Sequence, residues 1–243
     1  MLHRKKLQFH AALILILVTC GSLTAQTDIN LLNQNGKKQG PWKGLYEESK
    51  RVRYEGTFED GKEIGTFKYY DDTKASSVLA ERTFNPKDNS AYTVFFDQKK
   101  NKISEGKIIG KLREGEWIYY HENSTIPMTI ERYKEDKLNG LRQVYFPNGK
   151  IAEEINYTNG VREGNYRKYT PAGIVLEETF YKKGEIHGSA IFRGSDGQMA
   201  SEGKFVNGLK KGMWKFYEGG KLVREEKYPL VLKFKKSPAK VNY

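Results

Sequence analysis

His121 and His187 are the natural places to look for acid–base chemistry, because imidazole titrates near neutral pH. They stand in "YYHENS" and "EIHGSA", with no serine elbow and no His/Asp/Glu set at metal-ligand spacing around them. Both read as solvated turn residues. Adjacent carboxylates recur at Glu153-Glu154, Glu177-Glu178 and Glu225-Glu226. A general acid and its base are written once, whereas carboxylates repeated at one position form a solvated face. Recurring Gly-x-x-x-Gly is not a phosphate loop, since no Gly-Lys-Ser/Thr follows, and its charged surroundings exclude a membrane-helix seam. No catalytic residue, metal ligand or cofactor site is expected, so the chain reads as a non-enzyme. The residues left with a capacity to bind are aromatic. Rings in rows on a rigid sheet either pack the sheet or stack on sugars, peptides or bases.

Those rings come with a repeat. "YEGTFEDGKEIGTFKYY" at 54–70 returns as "SEGKIIGKLREGEWIYY" at 104–120 and "SEGKFVNGLKKGMWKFY" at 201–217. Gly40, Gly65, Gly115, Gly140, Gly164, Gly188 and Gly212 are spaced by 25, 50, 25, 24, 24 and 24 residues, with Ser90 in the vacant slot. Eight units then tile residues 36–228. Pairs such as Asp60-Gly61, Asn159-Gly160 and Asn207-Gly208 between units, and Asn148-Gly149 or Gly219-Gly220 inside them, supply the positive φ of tight hairpin turns. Each unit therefore reads as one β-hairpin, and the chain as an all-β antiparallel meander of about sixteen strands.

Strand alternation sorts side chains onto two faces. With a two-residue turn inside each unit, Gly140 faces Tyr157, Arg142 faces Ile155, Gly164 faces Tyr181 and Gly188 faces Phe205. A bare glycine opposite a ring leaves room for the ring to cover backbone; on this reading Gly65 makes room and Phe67 fills the face. The first face carries Trp42, Phe67, Tyr69, Tyr92, Trp117, Tyr119, Tyr166, Phe192, Trp214 and Phe216. The second carries Tyr70, Phe95, Tyr120, Tyr145, Tyr169 and Tyr217 among charges, with Arg167 opposite Glu178 and Lys215 opposite Glu226. Candidate partner-binding residues are Trp42, Phe67, Tyr69, Trp117, Tyr119, Tyr166 and Trp214. Arg142 joins them because it replaces a packing ring.

The stretches "YEGTFEDGKEIG", "SEGKIIGKLREG" and "SEGKFVNGLKKG" resemble the MORN repeat, Tyr-x-Gly-x-aromatic followed by Gly-x-x-x-Gly. The spacing and the "GxWxxY" continuation are similar to the variant found in the YwqK-type bacterial antitoxin family. The resemblance covers nearly all of the chain after residue 25. It implies an elongated, single-layer, twisted and curved sheet with an aromatic-lined groove, used as an interaction scaffold. The third unit lacks both glycines, the fifth has Arg142 in the ring slot and the seventh has Ala190 there.

The ends read differently. Residues 1–25 combine a basic start, the apolar run "AALILILV" and a small, polar exit, the layout of a secretory signal peptide cleaved after Ala25. The alternative treats "LVTC" as a loose lipobox that anchors the protein to a membrane through a lipidated Cys20. Cys20 is the one cysteine, so cleavage leaves no disulfide or thiolate chemistry. Residues 26–35 form a lead-in, and 229–243 a basic capping strand and tail. The basic ends (Arg4, Lys5, Lys6, and Lys233, Lys235, Lys236, Lys240) account for seven of the formal +12. The body's remaining +5 is a mixed surface more than a nucleic-acid stripe. The expectation is an exported monomer, periplasmic or extracellular, that binds a protein through its ring face, in an antitoxin- or immunity-like setting at its narrowest. The alternative partner is a cell-wall or surface glycan.

Overall fold

The computed structural model describes residues 28–229; the segment expected to be a signal peptide, Cys20 and nearly all of the basic tail lie outside them. A single open antiparallel sheet of nineteen strands runs in meander order. After β1 (Leu31–Leu32) come β2 (Lys38–Leu45) and β3 (Val52–Glu59), then β4 (Lys62–Tyr70) and β5 (Val78–Phe84). β6 (Ser90–Phe96) and β7 (Lys102–Ile109) follow, then β8 (Leu112–Tyr120) and β9 (Pro127–Lys134). β10 (Lys137–Leu138) and β11 (Gly140–Tyr145) are one strand broken at Asn139, paired with β12 (Ile151–Thr158). β13 (Val161–Tyr169) and β14 (Val175–Lys182) precede a second broken strand, β15 (Glu185–Ile186) and β16 (Gly188–Arg193). β17 (Met199–Val206), β18 (Leu209–Glu218) and β19 (Lys221–Tyr228) complete the sheet. With the broken strands counted whole, eight hairpins follow β1.

Where an Asp-Gly or Asn-Gly pair stands between hairpins, the turn is the two-residue type that the dipeptide predicts; β5 and β6 are joined instead by the longer loop 85–89. Asn159 and Gly160 have φ of 50° and 83°, Asn207 and Gly208 49° and 75°, the double positive φ of a type I′ turn. Turns inside the later hairpins differ from expectation. The Phe146 amide donates to the Lys150 carbonyl (2.8 Å) and the Gly149 amide to the Phe146 carbonyl (2.8 Å), so the loop has three residues. A bulge between Val144 and Tyr145 then restores the expected register, with Gly140 opposite Tyr157 and Arg142 opposite Ile155. Gly164 faces Tyr181 and Gly188 faces Phe205 as expected. The last hairpin departs: Gly219-Gly220 makes a two-residue turn between Glu218 and Lys221, and a single bulge follows. Lys215 consequently faces Glu225, not Glu226, and its ammonium reaches Glu202 at 3.5 Å.

The repeat glycines do not make room for rings. All seven have positive φ, from 65° at Gly65 to 114° at Gly140, and a Cβ on Gly65, Gly115 or Gly212 would meet open space. At Gly65, Gly115, Gly164 and Gly212 the ladder to the preceding strand slips by two residues. These glycines seat β-bulges, which need the left-handed conformation. The third unit has no glycine in this slot, and its ladder runs from Ala80–Phe95 to Phe84–Ala91 without a break. Losing the bulge moves the phase by one residue. Thr93 therefore takes the ring slot, Phe95 joins the first face 6.3 Å from Trp117, and Tyr92 turns to the second face, 48% exposed.

Candidate functional site

The first face is built from one row of cross-strand neighbours. Trp42 faces Gly56, Thr93 faces Gly106, Gly106 faces Trp117, Ile155 faces Tyr166 and Ala190 faces Gly203. Rings lie beside glycines at Trp42–Gly56 and Gly106–Trp117, and Ile155 packs beside Tyr166. A Cβ on Gly56 would fall inside the Phe67 ring, one on Gly106 inside Trp117, and one on Gly203 inside Trp214. The glycines that lie under rings on this row are thus Gly56, Gly106 and Gly203, a residue class that the sequence reading assigned to the wrong slot. Edge-to-face contacts such as Phe58–Phe67 (5.1 Å) and Phe205–Trp214 (5.0 Å) close the gaps. Burying about 100 Å² of each ring contributes roughly 2.5 kcal/mol.

This packing decides what the candidate residues can do. Phe67 and Trp214 are 0% exposed, Trp117 3% and Tyr166 9%. Their polar atoms are used internally: the indole N–H groups of Trp117 and Trp214 donate to the Lys107 and Lys204 carbonyls, and the Tyr166 hydroxyl to Glu153. Trp42, Tyr69 and Tyr119 are half-buried. Cations cover the rings. Lys38 Nζ sits 4.6 Å over both Trp42 and Phe58, Lys210 Nζ 4.1 Å over Trp214, and the Arg113 guanidinium 3.8 Å over Tyr133. Arg113 also donates to the Tyr119 hydroxyl at 3.0 Å. These cations precede the bulge glycine by two residues, in "KQG", "REG" and "KKG", a signal visible in the sequence and not used.

Arg142 has partners of its own. Its Nε donates to Glu131 at 2.9 Å and Nη1 lies 3.5 Å from Glu153. The fifth unit therefore replaces a ring over glycine by an arginine between two carboxylates, which accounts for the lost aromatic without a ligand. Glu177 is pushed up from its ordinary value by burial, with the Glu153 charge adding to the effect.

The second face repeats a different device. Tyr70 donates to Glu55, Tyr120 to Glu105, Tyr169 to Glu154 (2.7 Å) and Tyr217 to Glu202 (2.8 Å), always fifteen residues apart. Arg193 takes the tyrosine's place on Glu178 at 2.7 Å. Each bond ties a hairpin to the next. The Tyr70 hydroxyl is pushed up to about 12, first by burial and then by Glu55. Burial alone would raise Glu105, but hydrogen bonds from Tyr120 and Lys102 outweigh it and hold the carboxyl below its usual range. Arg167 faces Glu178 as expected, 3.4 Å apart.

Both histidines are structural. His121 Nε2 lies 3.0 Å from the Tyr145 carbonyl of the next hairpin, and His187 Nδ1 accepts weakly from the Asn207 amide at 3.5 Å. Among the described residues no group of three or more His, Cys, Asp or Glu is placed to hold a metal. Shallow depressions cross the second face, one of about 280 Å³ between Asn165, Arg167, Phe180 and Ile191, another of about 340 Å³ between Ser189, Glu202, Met213 and Lys215. What this arrangement offers is a ribbon of sheet with a packed face and a charged one.

A search of curated proteins finds no match to the chain. One family model, described as a MORN repeat variant, matches residues 138–159 and 162–183, the fifth and sixth hairpin units.

Proposed function

We propose that the chain is an exported, non-catalytic scaffold that holds a protein partner on the second face of its sheet. Repeats of the matched type are interaction modules, and the likeness supports a binding role without naming the ligand. The observation that carries the reading is the burial of Phe67, Trp117, Tyr166 and Trp214. Glycan stacking needs open ring faces, and these rings spend theirs on one another. The second face keeps its charges and depressions open to solvent. An immunity-like role, with a toxin as the partner, is the narrow form of this proposal and rests on the repeat's likeness.

Cross-linking of the native protein in envelope extract tests the face. Cross-links from second-face lysines such as Lys68 and Lys215 to one protein are expected. Saturable binding to a polysaccharide panel, lost when Tyr69 or Tyr119 is replaced by alanine, would overturn the reading in favour of glycan. Export is tested by intact mass: a native chain beginning at Gln26 is expected, and a diacylated species beginning at Cys20 would move the protein onto a membrane.

A further inference from the structure

Repeats allow one unit to be judged against the others. On the second face, the pair beside the bulge is Thr57–Ile64 in β3–β4 and Lys107–Glu114 in β7–β8. In β17–β18 the same slot holds Lys204 opposite Lys211. Like charges directly opposite destabilise a sheet, and here a glutamate at either position would have removed the conflict, as Glu114 does. Lys227 extends the cluster on the neighbouring strand, facing Met213. Among the described residues no ion pair holds Lys204, Lys211 or Lys227, although Lys215 further along β18 is paired with Glu202.

Apolar side chains on the same strands and face stand open to solvent. Leu209 is 73% exposed, Met213 51% and Val206 38%, all on the same face. Depressions lie on either side, one of about 340 Å³ reaching Met213 and Lys215, the other of about 480 Å³ lined by Lys182, Lys183, His187 and Asn207. Cations and bare aliphatics together fit a ligand that carries both carboxylates and apolar groups.

We propose that the outer end of β17–β19 is a docking site for an acidic, apolar segment of a protein partner, with Lys204, Lys211 and Lys227 receiving its carboxylates and Leu209 and Met213 its apolar side chains. This rests on the protein-scaffold reading above and deepens it. Stability is given up at Lys204–Lys211, and a bound carboxylate between the two ammonium groups restores it.

The test uses the purified protein and a short fluorescein-labelled peptide of alternating Glu and Leu, followed by anisotropy. Saturable binding is expected, weakened at least tenfold between about 50 and 300 mM salt, as screening of an exposed contact requires. Lys211→Glu is expected to weaken binding at least tenfold while raising the thermal midpoint, because it creates the Lys–Glu pair found at 107 and 114. Lys99→Glu, in an inner turn at the opposite end, should leave binding unchanged. Equal affinity of wild type and Lys211→Glu, a lowered midpoint in that variant, or equal losses from Lys99→Glu would overturn the site. So would displacement of the peptide by single-stranded DNA or phosphatidylserine vesicles at lower concentration than by unlabelled peptide. These outcomes concern this site alone; the broader scaffold reading falls on the polysaccharide result.

Discussion

Gly203 and Trp214 are expected to tolerate exchange as a pair and not singly. Trp214 is fully buried, and a Cβ on Gly203 would occupy its ring. One unit earlier the same two slots hold Thr179 and Ala190, 5% and 1% exposed. The fold thus contains two solutions of one packing problem: a ring over nothing, or a methyl over a threonine. Trp214→Ala alone removes a large buried side chain and should cost about 3–5 kcal/mol. Gly203→Thr alone overpacks the site and should cost at least about 1–3 kcal/mol. If the residues were independent, the double variant would lose roughly 4–8 kcal/mol. Because it recreates the Thr179–Ala190 arrangement, its loss should be smaller than that sum by at least about 1 kcal/mol. Urea titrations of the four proteins, followed by far-UV circular dichroism, measure this coupling. A double variant whose loss equals the sum of the single losses would show that the two side chains do not share space, and the register of β17 against β18 would be wrong.

Gly115→Ala should destabilise by about 1–2 kcal/mol through its φ of 71° alone, since a Cβ there meets nothing; a loss matching that of Gly106→Val would mean that crowding, not backbone, sets the requirement. Arg142→Ala should cost about 1–2 kcal/mol, a figure reduced for partial exposure, by leaving the 13%-exposed Glu131 side chain without its cation. Unchanged denaturant midpoints would show that the pair is idle. Glu105 is held below its ordinary 4.5 by Tyr120 and Lys102, so on acidification the unfolded chain takes up the proton first. Its contribution is present above about pH 4.5 and is lost as pH falls through the lower folded value. Tyr120→Phe should flatten that acid limb, as read from thermal midpoints between about pH 3 and 6.

Much of the fold was legible because hairpin turns and strand alternation are local rules. Asn-Gly and Asp-Gly announce two-residue turns, and the register they imply places Gly164 against Tyr181 and Gly188 against Phe205. The inner turns reached the same register by another route, since a three-residue loop plus one bulge counts like a two-residue loop. Where no glycine marks a bulge the counting failed, and Tyr92 and Phe95 exchanged faces. The candidate binding rings were legible as rings and not as core. Whether a row of aromatics is open depends on what lies across the strand, and the decisive residues are the glycines at 56, 106 and 203. The lysine pair at 204 and 211 was invisible for a related reason. The two residues belong to different strands, and their conflict exists only once β17 and β18 are laid side by side.

Pairing only between chain neighbours has a kinetic consequence. Among the described residues, with the broken strands counted whole, every ladder joins strands that are adjacent in sequence, so none of these pairings must wait for a distant segment to arrive. Loop closure is short throughout. Assembly can begin at any well-formed hairpin and extend outwards one hairpin at a time, with each Tyr–Glu tie securing the last addition. Opening should run the same course in reverse, from the two ends inwards. Amide exchange should then be slowest in the middle strands and fastest in β2 and β19, which makes the C-terminal lysine site one of the most readily loosened parts of the sheet and a partner bound there a clamp on its fraying end.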